Sequence, residues 1–581
     1  MRVSFPRLTR NIKTGADLIY NKLVEHKVND VFLYSGGSIM PLIDKFYNGK
    51  INYYINTHEQ NCGHAATGYA KSSNKFGVVI TTSGPGLTNL ITPILDAQND
   101  GVPLLVLSGQ VGTNVMGTGA FQEAPSVEIT KSITKMSYCI KNVEEIESKI
   151  DESIKLIKKG RPGVVHLDLP KDILLTDCDL NKTGKNLEEI EPDKNLNVEL
   201  NNVAKIINDS NNPILFLGKG CNHASKEILE FVNKTQIPFT TTIHGKGVIC
   251  ENHKLSLGWC GMHGSPVSNY ALQKADCIIG IGARFDDRTT GTIDTYGPNA
   301  KNIFNINIDN SCFNKTVNTT NNIEMDSKIF LESIYTQIEN NISSKRWLRY
   351  ISILKNKYGF KFKIPDNDKI NTPMVIDCIN KLTKNKDVIF TTGVGNHQMM
   401  TYQFINGNYP GKIHSSGSLG VMGAGLPYAI GVQIANPDKL VVDIDGDSSF
   451  LMTMSDMKTI VENNLPIKIA IMNDNKQMMV NIWEKLFFDG RYTATINERN
   501  PDFKEVAEAF GLKGFICKNQ KDIMKITQDF LETEGPALCE YKVEPDICLP
   551  LVGPGKALDE MILFEDYQEK NLIFDKKHVP S

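Results

Sequence analysis

Residues 440–474 read LVVDIDGDSSFLMTMSDMKTIVENNLPIKIAIMND, and the order of side-chain types in that stretch decides the fold class. An apolar run, Leu440 to Ile444, breaks at Gly446-Asp447-Ser448-Ser449; a helix-length segment follows, and a second apolar run, Ile467 to Met472, ends at Asp474. Short unbroken apolar runs separated by helix-length segments are how buried parallel strands read, because helices cover both faces of such a sheet. The same unit recurs outward along the chain, with apolar runs at Gly77 to Thr82, Pro103 to Leu107, Val164 to Leu167, Ile214 to Leu217, Ile278 to Ile281 and Val388 to Thr392. The expected class is α/β, built from doubly wound parallel sheets. Polar stretches at Asn181 to Asn202 and Asn340 to Asn371 interrupt the series, which predicts three domains near 12–180, 195–345 and 370–550 and a short charged tail over 551–581.

Bulk composition fits that size and excludes several classes. The 581 residues exceed what one hydrophobic core supports, so roughly two to four domains are expected. Apolar residues make up 41% and charged residues 22%, and the formal charge is -3, so there is no basic excess that would mark a nucleic-acid binder. No apolar run approaches the about 18 residues needed to span a bilayer; the richest, Val102 to Leu107, is broken by Ser108 and Gly109. Twelve cysteines are scattered without a CxxC or a Cys/His cluster, which argues against a disulfide framework or structural zinc and for a reducing compartment. The first dozen residues carry Arg2, Arg7 and Arg10 but no apolar signal core, and the expectation is a cytoplasmic protein.

In open parallel sheets ligands bind at the carboxyl ends of strands where the strand order reverses, so the tips of the apolar runs are where chemistry is expected. Asp447 and Asp474 end two successive runs; small residues after Asp447 let a diphosphate approach a helix N-terminus, and two hard oxygen donors suit a Mg²⁺ ion bridging to it. Read singly, such an Asp447 more often caps a helix and such an Asp474 more often sits in a turn; the paired spacing is what favours the metal reading. Glu59, in Thr57-His58-Glu59-Gln60, falls between the strand-like INYYIN and a helix-like segment, where a partly desolvated carboxyl suits proton exchange with a ring nitrogen; alone it equally suits a solvated first-turn residue. Thr82-Ser83-Gly84-Pro85-Gly86 and Thr392 to His397 are further tips, or simple tight turns. Gly218-Lys219-Gly220, Gly261 to Gly264 and Gly282 to Arg288 combine glycines with arginines and suit a dinucleotide diphosphate, although no GxGxxG is present and the arginines could pair with Asp286 and Asp287.

Taken in order, THEQ (57–60), TTSGPGLTN (81–89), GTGAFQE (117–123), GRPG (160–163), DLPKD (168–172), GMHG (261–264), GARFDDR (282–288), TTGVGNHQM (391–399), GVMGAGLP (420–427), DIDGDSSF (443–450), RNPDF (499–503) and PGKALDEMI (554–562) resemble the acetolactate synthase catalytic-subunit family of thiamine-diphosphate enzymes. The resemblance spans about residues 12 to 565. It implies an N-terminal pyrimidine-binding, a central FAD-binding and a C-terminal diphosphate- and Mg²⁺-binding domain, with thiamine diphosphate, Mg²⁺ and FAD as cofactors. It implies that Glu59 bonds N1′ of the aminopyrimidine, and that Gln122, Phe121 and Lys171 line the active site and its entrance across a dimer interface. By the same matching, Gly36, Gly37, Gly395, Asn396, His397, Met422, Ser448, Ser449 and Met479 contact thiamine diphosphate, Met422 propping it bent. Asp447, Asp474 and Lys476 make the metal segment. Val480, Trp483 and Phe487 fall on the substrate pocket, where the tryptophan favours a 2-oxobutanoate acceptor over pyruvate. Arg161, Gly218, Gly220, Thr242, Met262, His263, Gly282, Arg284, Arg288, Asp309 and Asp326 match FAD-contacting positions. The implied reaction joins pyruvate's two-carbon remnant to a second 2-oxo acid in branched-chain amino acid synthesis, by a homodimer or homotetramer with a possible separate regulatory subunit.

The chain departs from the family at Asp474, where an amide is usual, at Lys476, and at Met478, where glycine is usual; Tyr34 to Ser38, Gly112 and Gly119 also differ. Asp474 adds a negative charge beside the diphosphate, which Lys476 could offset. The rival readings are a flavin oxidase, a decarboxylase or FAD-free acetolactate-forming enzyme on the same scaffold, and a non-catalytic relative.

Overall fold

The computed structural model describes residues 13–178 and 196–569. The expectations attached to Arg2, Arg7 and Arg10, to most of the 181–202 stretch and to the end of the tail fall outside these residues. The described chain divides into two compact units, one holding residues 13–178 with Ile430–Ala435 and Lys458–Asn463, the other holding the rest.

The first unit is built on six parallel strands, β1 (Asp30–Leu33), β2 (Asn52–Ile55), β3 (Gly77–Thr81), β4 (Leu104–Gln110), β5 (Met136–Cys139) and β6 (Val164–Pro170), in the order β2-β1-β3-β4-β6-β5. β3, β4 and β6 are buried along their whole length, as their unbroken apolar reading requires. Helix α1 (Glu59–Ser72) packs its long buried face beside β3. The chain leaves β1 toward β2 and returns on the other side to β3, so the order reverses between β1 and β3. Gly36 stands at that reversal, where a Cβ would meet the Thr82 side chain at 2.4 Å.

The second unit holds two sheets. Strands β7 (Pro213–Leu217), β8 (Phe239–Thr241), β9 (Ser256–Trp259), β10 (Cys277–Ile281), β11 (Asn302–Asn307) and β12 (Asn321–Glu324) lie in the order β9-β8-β7-β10-β11-β12, all parallel. This is the 3-2-1-4-5-6 order of dinucleotide-binding folds, reversing between β7 and β10. Apolar layers cover both faces, one around Leu215, Phe231 and Phe330 and one around Phe216, Phe285 and Trp347. Each fully buried aliphatic or aromatic side chain of this kind contributes about 1.5–3 kcal/mol.

The other sheet contains β13 (Ile370–Asn371), β14 (Val388–Thr392), β15 (Ile413–Ser415), β16 (Leu440–Gly446), β17 (Lys468–Asn473), β18 (Lys513–Cys517) and β19 (Ala537–Glu544) in the order β13-β19-β17-β16-β14-β15, with β18 also pairing β19. It reverses between β14 and β16, whose tips carry Gly393 to Gly395 and Asp447 to Ser449. Helices α2 (Asn396–Phe404), α3 (Asp447–Leu451) and α4 (Met478–Phe487) start at or soon after the tips of β14, β16 and β17. The α/β, doubly wound, parallel-sheet class read from residues 440–474 is therefore the observed one. β16 and β17 are adjacent and parallel, pairing Asp443 with Ile469 and Gly446 with Met472.

Candidate active site

At the β14/β16 reversal the two tips enclose a cleft with about 480 Å³ of empty space, part of it open to solvent. Gly395, Asn396, His397, Met422, Asp447, Ser448, Ser449, Asp474, Lys476, Met479 and Val480 all line it. Residues from four separated stretches of sequence thus converge on one surface. Gly395 has φ +155°, and a Cβ on Gly393 would come within 2.1 Å of both Asp445 Oδ1 and Ser449 Oγ, so the tip tolerates no side chain at 393. Ser449 Oγ is held by the Gly423 N–H at 2.9 Å, which ties the loop bearing Met422 to the start of α3.

The acidic end of the cleft is organised by amides. Asp447 Oδ1 accepts from Ser448 N at 2.7 Å, and Oδ2 accepts from Asn500 Nδ2 at 2.5 Å and Asn497 Nδ2 at 3.3 Å. Asn500 Nδ2 also reaches Asn473 Oδ1 at 2.9 Å and Asn475 Oδ1 at 3.0 Å. Asp474 Oδ1 accepts from Lys476 N at 3.0 Å. Burial pushes the Asp447 carboxyl up despite these bonds, and burial followed by the charge of Asp447 pushes the Asp474 carboxyl up to about 8. Two mutually repelling carboxylates with spare lone pairs are the donor set a hard divalent cation satisfies, so the residues present fit Mg²⁺. Lys476 directs its ammonium over the Tyr492 ring at 5.9 Å. Met478 opens α4 without positive φ; the left-handed position of this turn is Asn475, at φ +57°.

Trp483 and Phe487 are not brought to the cleft lining. They lie further along α4 as an edge-to-face pair with centroids 5.4 Å apart, and Phe487 packs with Leu549, Leu551 and Ile562 of the C-terminal segment.

In the central sheet the reversal brings Gly218, Gly220 and Gly282 together. Gly220 N donates to Gly282 O at 3.1 Å, and a Cβ on Gly218 would lie 2.0 Å from Gly282 O. The glycines are required first by this close approach of two strand tips, which also leaves bare backbone where a dinucleotide diphosphate binds in such sheets. Thr242 N bonds Leu217 O at 2.9 Å on the neighbouring tip. Arg288 donates to Met262 Sδ at 3.3 Å and Arg284 to Ser418 Oγ at 2.6 Å; their alternative partners, Asp287 and Asp286, stand at 3.7 and 3.8 Å. Asp309 and Asp326 follow β11 and β12, where Asp309 bonds Ser311, and Asp326 caps a helix and pairs with His223 at 2.9 Å. His263 is buried, and burial holds its imidazole down at about 4. Bare backbone at a reversal beside two arginines fits FAD.

In the first unit Glu59 is the first residue of α1, and Oε2 accepts from Asn89 Nδ2 at 3.0 Å. Gly37 faces open space, where a Cβ would meet no atom within 4 Å. Phe121, 89% exposed, and Gln122, at φ +61°, lie on a loop whose shape is set by Glu123, which accepts from the N–H groups of Gly117, Gly119 (2.9 Å) and Ala120 (3.0 Å). Those N–H groups, Gly117 foremost, hold the Glu123 carboxyl below its usual range. The loop's base is pinned from beneath, where Gln110 Nε2 reaches Ala124 O at 3.0 Å and Asp168 Oδ2 at 2.8 Å. Lys171 is exposed directly after β6. Arg161 donates to the Asn99 carbonyl within this same unit.

Sequence reasoning gave no role to Asn473, Asn497 or Asn500. Asn500 lies in the RNPDF segment, on the loop that leads into the helix Phe503–Phe510.

A glycine-tipped reversal facing a pair of carboxylates suits a diphosphate held together with a divalent cation. Three family profiles match: "Thiamine pyrophosphate enzyme, N-terminal TPP binding domain" over residues 13–129, "central domain" over 200–334 and "C-terminal TPP binding domain" over 393–541. Thiamine diphosphate is therefore the cofactor of this enzyme. The chain is 39% identical over 582 residues to the Saccharomyces cerevisiae mitochondrial acetolactate synthase catalytic subunit, covering 96% of this chain and 85% of that one. It is 37% identical to the Cyanidium caldarium acetolactate synthase large subunit (95% and 97% covered) and 34% identical to a probable large subunit from Methanococcus aeolicus (97% and 98%). The chain belongs to the acetolactate synthase family.

Proposed function

We propose that this chain is a thiamine-diphosphate-dependent transferase that decarboxylates pyruvate and joins the two-carbon remnant to a second 2-oxo acid, pyruvate or 2-oxobutanoate, for branched-chain amino acid synthesis. The observation that carries the reading is the β14/β16 cleft, where a side-chain-free tip and two carboxylates at adjacent strand ends meet in a chain of this family. Bound thiamine diphosphate supplies the carbon nucleophile and holds the electron pair released with carbon dioxide.

Each residue has a part in that chemistry. Asp447 and Asp474, with the Lys476 segment, hold Mg²⁺; Gly395, Asn396, His397, Ser448 and Ser449 bind the diphosphate; Met422 and Met479 support the cofactor's bent form. Glu59 holds a proton between its carboxyl and N1′ of the aminopyrimidine, and Gly36 and Gly37 leave room for that ring. Gln122, Phe121 and Lys171 border the substrate from another copy of the chain; Val480, in the cleft wall, contacts the acceptor, and Trp483 and Phe487, further along α4, tune its choice from beyond the cleft lining. FAD occupies the β7/β10 crevice against Gly218, Gly220, Thr242, Met262, His263, Gly282, Arg284, Arg288, Asp309 and Asp326. The domain limits that follow are 12–180, 195–345 and 370–550.

A homodimer or homotetramer is the assembly this sharing of sites requires. Relatives named "catalytic subunit" support a separate regulatory chain. All twelve cysteines are free thiols, which supports a reducing compartment, here the cytoplasm; the fungal relatives are named mitochondrial. Among the described residues no helix is long and apolar enough to cross a membrane. The test is product formation: pyruvate with thiamine diphosphate, Mg²⁺ and FAD yields acetolactate and carbon dioxide. Acetaldehyde or acetate as the main product would assign the chain to a decarboxylase or a flavin oxidase instead.

A further inference from the structure

β16 carries acids at two alternate positions, Asp443 and Asp445, which places them on one face of the strand, and Asp447 opens α3 directly after its tip. Asp447 belongs to the metal end of the cleft. Asp443 and Asp445 are fully buried, where a carboxylate loses its solvation and an apolar residue would fold at lower cost. Asp443 accepts from Thr391 Oγ1 at 2.7 Å, and its Oδ2 has no hydrogen bond. Asp445 is placed differently. Its Oδ1 accepts from Gly446 N at 2.9 Å and stands 3.1 Å from His397 Nε2, off the hydrogen-bonding direction, while its Oδ2 and His397 Nε2 have no hydrogen bond.

His397 is 6% exposed and lines the cleft. Its ring lies between the two tips: a Cβ on Gly395 would be 3.0 Å from Cε1, and one on Gly446 would be 2.7 Å from Nδ1. Gly395 and Gly446 both line the cleft, so the ring turns its Nδ1 and Cε1 edge toward the cleft and its Nε2 edge toward Asp445. The carboxylate is enclosed on its other side by the bare tip at Gly393. A buried carboxylate behind one nitrogen of a site imidazole fixes the ring plane, and with it where the other nitrogen points.

We propose that Asp445 is a positioning residue for cofactor binding, holding the His397 imidazole so that Nδ1 faces the diphosphate in the β14/β16 cleft; this rests on the reading of that cleft as the diphosphate site. Asp445 is not among the residues that line the cleft. It acts through His397 alone, and this separates it from a residue that merely supports the sheet.

The experiment is a mutant cycle on the full chain, reading thiamine diphosphate affinity by calorimetry at saturating Mg²⁺. Asp445→Asn in the wild-type background is expected to weaken binding by about 10- to 100-fold, the usual cost of removing such an outer partner. In a His397→Gln background the same change is expected to move affinity less than threefold, and flavin content stays constant throughout. An equal loss in both backgrounds, or wild-type affinity in Asp445→Asn, overturns the proposal. If Asp445→Asn does not fold, Asp445→Ser, which keeps an acceptor for Gly446 N, enters the same cycle with the same expectations. Absence of binding by the wild type would overturn the diphosphate reading itself, whereas binding without coupling overturns only the role of Asp445.

Discussion

Asn500→Ala removes the amide that gathers Asp447, Asn473 and Asn475 around the metal end of the cleft. The bond to Asp447 Oδ2 is charge-assisted, and such bonds contribute about 1.5–3 kcal/mol, so its loss corresponds to about 10- to 150-fold in affinity at 1.4 kcal/mol per decade. Asn497 remains 3.3 Å from the same oxygen and also reaches Ser448 Oγ at 2.7 Å, which places the expected effect in the lower half of that range. The direction follows from preorganisation: each carboxylate oxygen has two acceptor sites, so Asn500 orients Asp447 without excluding the cation. Titration of Mn²⁺ in the presence of thiamine diphosphate, followed by electron paramagnetic resonance, measures the change. Affinity within twofold of wild type, in a folded flavin-containing variant, would refute the argument that these amides set the metal site.

Two further outcomes test other parts of the molecule. Gly218→Ala drives a Cβ to 2.0 Å from Gly282 O and must part the β7 and β10 tips; overpacking of this kind costs about 1–3 kcal/mol. The purified variant is expected to lose its visible flavin absorbance while the 480 Å³ cleft still binds thiamine diphosphate. His263 is held down at about 4 by burial, whereas an unfolded histidine titrates near about 6.5, so the unfolded state takes up the extra proton in that window. Its contribution to stability is full above pH ~6.5 and falls as the pH drops toward ~4. Between pH ~7 and ~5, wild type should lose about 2 kcal/mol more than His263→Gln in urea denaturation, and parallel curves would contradict that assignment.

The fold was legible where strands are buried on both faces. The eight apolar runs at the centres of the three sheets are all strands. The strands one in from an edge were harder: β11 reads NIFNIN and β19 reads ALCEYKVE, whose asparagines and charges break the apolar run although both strands pair on two sides. The cleft was legible because glycines and acids concentrate at strand tips, and because one topological rule places those tips together at a reversal. Asn497 and Asn500 were not legible, since they reach Asp447 from a loop about 50 residues downstream, and asparagine on a loop has no periodic signature. Trp483 and Phe487 follow Met479 at helical spacing on α4, and Phe487 packs against the cluster around Leu549, Leu551 and Ile562.

The most direct test of the account compares wild type with Glu59→Gln, measuring acetolactate and carbon dioxide from pyruvate and thiamine diphosphate binding in the same samples. The account predicts acetolactate from wild type and a loss of turnover of at least about 100-fold in the variant, the scale of general acid–base catalysis, with the cofactor still bound at the Asp447 cleft. Acetolactate formed equally by both proteins, or no acetolactate from a wild type that holds thiamine diphosphate, Mg²⁺ and FAD, would contradict it.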